Sequence, residues 1–343
     1  MRYRKLGRSG LLVSELCLGT NMFGGADDEF WKAYGGLNQA AVNAVIAKAV
    51  EGGINFIDTA DGYTKGESER SIGQALRDLE LDRSTIHICT KAGTQSGLGP
   101  NGCGGSRAHI FDACEKSLKR LGTDYIDVYF LHWFDPVTPL DETLRAFDDL
   151  VRMGKVRYVG CSNLTAWEVM KALGISERER LARFDVVQNH WSIATREIER
   201  EIVPMARSEG VGVMAFGALL GGVLSGKYRR DGSSEQPGRF AGQIPDMLSS
   251  DKVHNIIDAM REIAEPRNVS PAEIALAFLL REKATASIIV GSTKPEQIAA
   301  NLRASDIVLS DEEIKRLDEI SALPSEYGPS RTAPARVLRM KYL

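Results

Sequence analysis

The chain reads as an α/β protein: a (β/α)8 barrel with an N-terminal β-hairpin cap, two extra helices and long loops on the C-terminal face of the strands. Three observations predict this. Eight short apolar runs recur along the 343 residues, most with little polar alternation, as parallel strands buried on both faces require. Helical patterns fill the gaps between them, which is the rhythm of successive βα units. Polar, chemistry-bearing side chains stand just past the ends of consecutive runs, where barrel active sites are built. An open doubly wound sheet would accommodate fewer strands comfortably.

The elements follow in order. YRKL and LLVSEL flank the turn-forming GRSG and read as a hairpin. The eight runs are LCLG (16–19), INFID (54–58), IHICT (86–90), IDVYFLH (126–132), VRYVGC (156–161), FDVVQN (184–189), VGVMAF (211–216) and SIIVG (287–291). QAAVNAVIAKAVEGG has helical spacing and ends in glycines, a natural stop. GESERSIGQALRDL, RAHIFDACEKSLKRLG and LDETLRAFDDLVRMGK follow the second, third and fourth runs. TAWEVMKALG starts on Thr165, a plausible N-cap. TREIEREIVPMARSEG, SPAEIALAFLLRE and TKPEQIAANLRA complete the set, and Pro271 after Ser270 marks a good helix start. Residues 251–264 and 310–321 read as the extra helices. The whole of 1–343 is expected to be one barrel domain: hairpin cap 1–15, barrel 16–305, extra helix and a basic, Pro-containing tail 306–343. That tail is expected to fold over the barrel mouth. Residues 20–38, 91–105 and 217–249 are longer than plain connections, which marks them as functional loops on the C-terminal face.

Bulk properties exclude several function classes. Hydrophobic residues make up 43%, enough for a sizeable core, and a net charge of −3 gives no attraction to nucleic acid or membranes. No apolar segment approaches the roughly 20 residues that span a bilayer, and the N-terminus has no signal-like stretch. The five cysteines form no CxxC pair and read as free thiols, so a reducing cytoplasm is expected. No metal-ligand cluster is visible. Residues 97–102, GLGPNG, formally satisfy G-x-G-x-x-G but lack a strand directly before and a helix directly after, so a Rossmann site is rejected in favour of a lid or substrate loop.

The chemistry concentrates in Asp58, Tyr63, Lys91 and His132. Alone, a strand-end Asp or Lys is most often a structural ion pair, a Tyr packing and a His a satisfied polar group. Together at the ends of the second, third and fourth runs, they suit proton transfer to a carbonyl. Asp58 would hold Lys91, whose ammonium would lower the Tyr63 pKa, while His132 would orient a carbonyl oxygen.

With these residues in place, the chain resembles the aldo-keto reductases over nearly its full length. The matching segments are LGRSGLLVSELCLGT, NFIDTADGY, the Lys of CTKAG, LKRLGTDYIDVYFLH, GKVRYVGCSN, VVQN, VGVMAFGALLGGVLSGKY and VGSTKPEQIAANL. The resemblance implies NADPH/NADP+ as cofactor and an Asp–Tyr–Lys–His tetrad made of Asp58, Tyr63, Lys91 and His132. It implies contacts to the nicotinamide end from Gly19, Thr20, Asn21 and Asp58, to the carboxamide from Ser162, Asn163 and Gln188, and ring stacking by Phe216. The family often has Tyr-Ser-Pro-Leu where this chain has Phe216, Gly217, Ala218 and Leu219, and Gly217, Ala218, Leu219 and Gly221 would follow the pyrophosphate. Lys227 and Arg239 would clasp phosphates. Gly291, Thr293, Lys294, Gln297 and Asn301 would take the adenine end, with Lys294 reading a ribose 2′-phosphate. The expected reaction is reduction of a small-molecule aldehyde or ketone. Phe23, Tyr34, Trp133 and Trp191 are the expected substrate pocket, and Trp133 suits a bulky or cyclic ketone. The alternative is an NADPH-binding regulatory module like the potassium-channel β subunits, which commonly carry Asn where this chain has His132.

Overall fold

The structure is a computed structural model that describes residues 1–27, 36–230, 233–234, 240 and 250–326. Strands β1 (Tyr3–Lys5) and β2 (Leu12–Ser14) pair antiparallel as the expected hairpin. The eight apolar runs become β3 (Leu16–Gly19), β4 (Phe56–Asp58), β5 (His87–Ala92), β6 (Ile126–Leu131), β7 (Val156–Ser162), β8 (Phe184–His190), β9 (Gly212–Phe216) and β10 (Thr285–Gly291). They close into one parallel barrel, β10 pairing with β3 on one side and β9 on the other.

Ten α-helices are described. The barrel helices are α1 (Gln39–Glu51), α2 (Glu67–Asp78), α3 (Arg107–Leu121), α4 (Leu140–Arg152), α5 (Ala166–Glu179), α6 (Ile202–Glu209), α8 (Pro271–Leu280) and α9 (Pro295–Leu302). The two extra ones are α7 (Asp251–Ala264) and α10 (Asp311–Ser321), as the sequence predicts. Thr165 and Ser270 both start capping boxes, with Glu168 and Glu273 reaching back to the cap amides.

Two helices differ from expectation. Helix α5 runs past Gly174 to a left-handed stop at Arg180, because Ile175 and Ser176 continue its buried face. The stretch 195–210 is split into a 3-10 turn (Glu197–Glu199) and a short α6. Arg196 and Glu199 pair with each other across the 3-10 turn and also reach Asp318 and the Trp191 indole, and the break leaves Pro204 in the first turn of α6, where its missing N–H costs little. The glycine-rich 97–102 segment closes on itself through Ser96 and Gly97 amides on the Gly102 carbonyl, with no strand–turn–helix geometry.

The interior has two shells. Cys17, Phe56, Cys89, Val128, Phe130, Val186 and Met214 fill the barrel, and Leu6 and Val13 of the hairpin plug its floor. Arg4 ties that plug down: it donates to the carbonyls of Leu280, Glu282 and Thr285 and pairs with the fully buried Glu15. The larger shell packs the outer strand faces against the helices.

Helices α2 and α3 approach closely at Gly73, where an added Cβ would lie 2.4 Å from the Leu121 carbonyl oxygen. Gly73→Ala is therefore expected to destabilise the protein by roughly 1–3 kcal/mol in urea denaturation. Gly174→Ala, with nothing within 4 Å of the new Cβ, is expected instead to stabilise by about 0.5–1 kcal/mol.

Candidate active site at the barrel mouth

Successive strand residues point to opposite faces. The side chains two positions beyond the inward-facing Phe56, Cys89, Phe130 and Val186 therefore also face the axis. They are Asp58, Lys91, His132 and Gln188. Register aligns them, since Asp58 lies opposite Gly19 on one side and Cys89 on the other, and Ser162 lies opposite Gln188.

Lys91 is fully buried. Its ammonium donates to both Asp58 oxygens (2.7 and 2.8 Å) and to the Thr59 carbonyl (2.7 Å), and lies 3.4 Å from the Tyr63 hydroxyl. Asp58 Oδ1 also accepts from the Gln188 amide (2.7 Å) and the Cys89 thiol (3.2 Å). Burial pulls the Lys91 pKa down, but the Asp58 carboxylate, with Tyr63 and Cys89, outweighs it and holds the ammonium above its usual value.

The effect on Tyr63 corrects the sequence expectation. Burial raises the phenol pKa above its ordinary value, and the attraction of Lys91 offsets this only in part. Tyr63 is thus a neutral phenol with its proton in place. Its ring lies edge-on to His132, with centroids 6.0 Å apart. Burial, reinforced by Lys91, pushes the His132 pKa down to about 3, so the imidazole is neutral. Its buried Nδ1 has no hydrogen-bond partner among the described residues.

Around this centre, the Asn163 amide donates to the His132 carbonyl (3.1 Å) and to Ser162 Oγ (3.0 Å), while Ser162 Oγ donates to the Gln188 carbonyl (2.9 Å). Asn163 takes a left-handed φ of +62°, which turns the chain across the mouth. Gly19 and Gly291 sit side by side in the β3–β10 register, with Asn21 half-buried beyond them. Phe216 ends β9 and packs edge-on to His190. The turn that follows, with Ala218 and Leu219 between left-handed Gly217 and Gly221, brings backbone to the rim. Lys227 beside it is half-buried over the Tyr228 ring, and no carboxylate among the described residues pairs with it. Burial lowers its pKa. Thr293 and Lys294 precede α9, and Gln297 and Asn301 lie on it, with Gln297 Oε1 accepting from the Thr293 amide.

Some expected residues lie elsewhere. Thr20 is fully buried, and its hydroxyl is engaged with the Asp58 carbonyl and Ser68. Phe23 and Trp191 are also fully buried in the outer shell, so neither lines the mouth; Trp191 donates its indole N–H to Glu199. Trp133 is 52% exposed and stacks on His132 at 5.5 Å. Tyr34 and Arg239, with Phe30 and Trp31, fall outside the described residues. One residue was missed. Asp61 is buried beside the Tyr63 turn, and its place in DTADGY, two residues before the tyrosine, was the available signal.

The match to the aldo/keto reductase family model spans residues 15–322. The chain belongs to this family. It is 34% identical over 349 residues to aldo-keto reductase AFTS1 of Alternaria alternata, covering 95% of this chain and 93% of that protein. It is 33% identical to norsolorinic acid reductase of Aspergillus flavus (93% and 80% covered). It is also 33% identical to the Oryza sativa protein named "Probable voltage-gated potassium channel subunit beta" (93% and 96% covered). The family assignment makes the chain an oxidoreductase-family barrel. No helix among its described residues is long and apolar enough to cross a membrane.

The buried ion pair sets a stability test. Removing the Asp58 charge strands a buried ammonium, so Asp58→Asn is expected to cost roughly 3–5 kcal/mol in chemical denaturation. Adding Lys91→Met should recover part of that loss. Because the Lys91 pKa is raised on folding, the pair's contribution is complete below about pH 10.4 and is lost as pH rises further.

Proposed function

We propose that this protein reduces an aldehyde or ketone to an alcohol with NADPH, with Tyr63 as the proton donor. The observation that carries this reading is the Lys91 ammonium, bound to both Asp58 oxygens and the Thr59 carbonyl, standing beside a neutral Tyr63 phenol.

A bound reduced nicotinamide supplies hydride to the carbonyl carbon. The Tyr63 O–H bond breaks as its proton passes to the carbonyl oxygen, and Lys91 stabilises the phenolate left behind. Asp58 keeps Lys91 charged and in place. The neutral His132 imidazole donates a hydrogen bond to the substrate oxygen without adding charge. Gly19, Asn21, Ser162, Asn163, Gln188 and Phe216 would hold the nicotinamide end. The backbone rim at 217–221 and Lys227, which no carboxylate among the described residues pairs with, suit a pyrophosphate. Thr293, Lys294, Gln297 and Asn301 would take the adenosine end, with Lys294 favouring a 2′-phosphate. Trp133, half-exposed on the His132 ring, supports a bulky or cyclic carbonyl substrate. So does the neighbouring Phe134–Trp167 pair (6.0 Å), in which Trp167 is 59% exposed.

Similarity to a named channel subunit supports a second reading, a cofactor-binding regulatory module with weak turnover. His132 favours catalysis over it. NADPH that binds yet is never oxidised across a panel of sugars, aromatic aldehydes and polycyclic ketones would decide for the module.

Tyr63→Phe is expected to lower turnover by at least about 10²–10⁴-fold while leaving NADPH binding nearly intact, and unchanged turnover would reject Tyr63 as the acid. Lys294→Ala should weaken NADPH binding, read by fluorescence titration, much more than NADH binding; equal losses would remove Lys294 from 2′-phosphate recognition.

A further inference from the structure

Tyr63 sits on a turn held from both sides. On one side is Asp61, only 2% exposed. Its Oδ1 accepts from the Thr94 hydroxyl at 2.9 Å, its amide donates to the Lys91 carbonyl at 3.2 Å, and its Oδ2 is buried without a hydrogen-bond partner among the described residues. Gly62 presses against the same threonine, where a Cβ would lie 2.6 Å from Thr94 Oγ1. On the other side, Thr64 and Lys65 take left-handed φ values of +46° and +57°. For a β-branched residue this is a strained conformation that its surroundings must enforce. The Thr64 hydroxyl donates to the Phe23 carbonyl at 2.8 Å and anchors it.

We propose that Asp61 and Thr94 are positioning residues for the proton donor: the charged Asp61 carboxylate draws the 93–96 segment onto the Tyr63 turn and holds the phenol over Lys91. This rests on Tyr63 being the donor. The segment begins two residues after Lys91, so the contact joins the two strand-end loops that carry the acid and its activating cation.

Charge at Asp61 is controlled by what packs on it. Burial pushes its pKa up to about 6, against the pull of the Ser96 and Thr94 hydroxyls; Glu69 on α2 raises it and Arg120 on α3 lowers it. Glu69 and Arg120 are themselves an ion pair, and Glu69 also accepts from Thr90. From β6, the Tyr129 phenol faces the same pocket, with its own pKa pushed up by burial. Tyr63 and Lys91, both raised, and His132, near 3, do not titrate in this range. Asp185 is likewise pushed to about 6, but beside Arg183 and Arg8, next to the hairpin that plugs the floor.

A carboxyl whose pKa is raised on folding binds its proton more tightly in the native state, so stability falls as pH rises from about 4 to about 6. At neutral pH the Asp61 charge therefore weakens the fold.

The test uses full-length protein labelled with 13Cζ-tyrosine, the Tyr63 signal being assigned by its loss in Tyr63→Phe. Titrated from about pH 4.5 to 8.5, that signal is expected to shift with a midpoint near 6 in the wild type and to stay flat in Asp61→Asn. In Asp61→Asn and Thr94→Val, kcat is expected to fall roughly ten- to a hundredfold with the KM for NADPH unchanged. The Tm of Asp61→Asn at neutral pH should be no lower than that of the wild type. A flat wild-type signal, the same titration in Asp61→Asn, or an unchanged kcat in both variants would each overturn the proposal. Turnover that survives Tyr63→Phe would instead overturn the donor assignment, while the resonance still reports whether Asp61 governs the phenol.

Discussion

The site depends on one buried ion pair. A lysine ammonium with no solvent exposure carries a desolvation penalty of several kcal/mol, and it persists only because its hydrogen-bonding capacity is met. Lys91 meets it with both oxygens of Asp58 and the carbonyl of Thr59, which leaves the Tyr63 hydroxyl as the next neighbour. Asp58 also collects Gln188 from the far side of the barrel and the Cys89 thiol. The pair thus fixes β4, β5 and β8 relative to one another at the mouth, and the positions of the phenol and the imidazole follow from it.

Barrel packing is what makes such a pair possible. The inward residues of β4, β5, β6 and β8 are apolar through the barrel's middle and become polar at the last inward position. The hydrophobic plug, closed below by Leu6 and Val13, ends directly beneath the carboxylate and the ammonium. Low dielectric below strengthens the attraction, and strand parity points every functional side chain at the same volume. The same burial keeps Tyr63 protonated and His132 neutral, the states that proton donation and carbonyl orientation need.

The rim is built differently, from backbone. Asn163 and Leu220 adopt left-handed conformations, as do Gly217 and Gly221. Lys227, half-buried and without a carboxylate partner among the described residues, gives that edge positive charge in a chain whose net charge is −3. Relatives named as reductases and as a channel subunit match this chain at similar identity, so the fold alone does not decide between catalysis and another role.

The eight strands were legible because parallel strands buried on both faces must be continuous apolar runs, and LCLG, FDVVQN and the others are that. The tetrad was legible because strand-end polar residues in such a barrel converge. Capping at Thr165 and Ser270 was also written locally. What required the tertiary structure was everything set by distant neighbours. Trp191 and Phe23 look like mouth aromatics until packing buries them in the outer shell. The 195–210 stretch has one helical pattern, but it divides after a 3-10 turn whose Arg196–Glu199 pair also engages the distant Asp318 and Trp191. The direction of the Tyr63 shift depends on how far desolvation exceeds the pull of Lys91, and the exposure of Asp61 depends on a loop some thirty residues away. Sequence by itself determines periodicity, caps and the order of chemical groups, because these are local. Burial, and with it protonation state, is decided only when segments distant in sequence close over a side chain and exclude water.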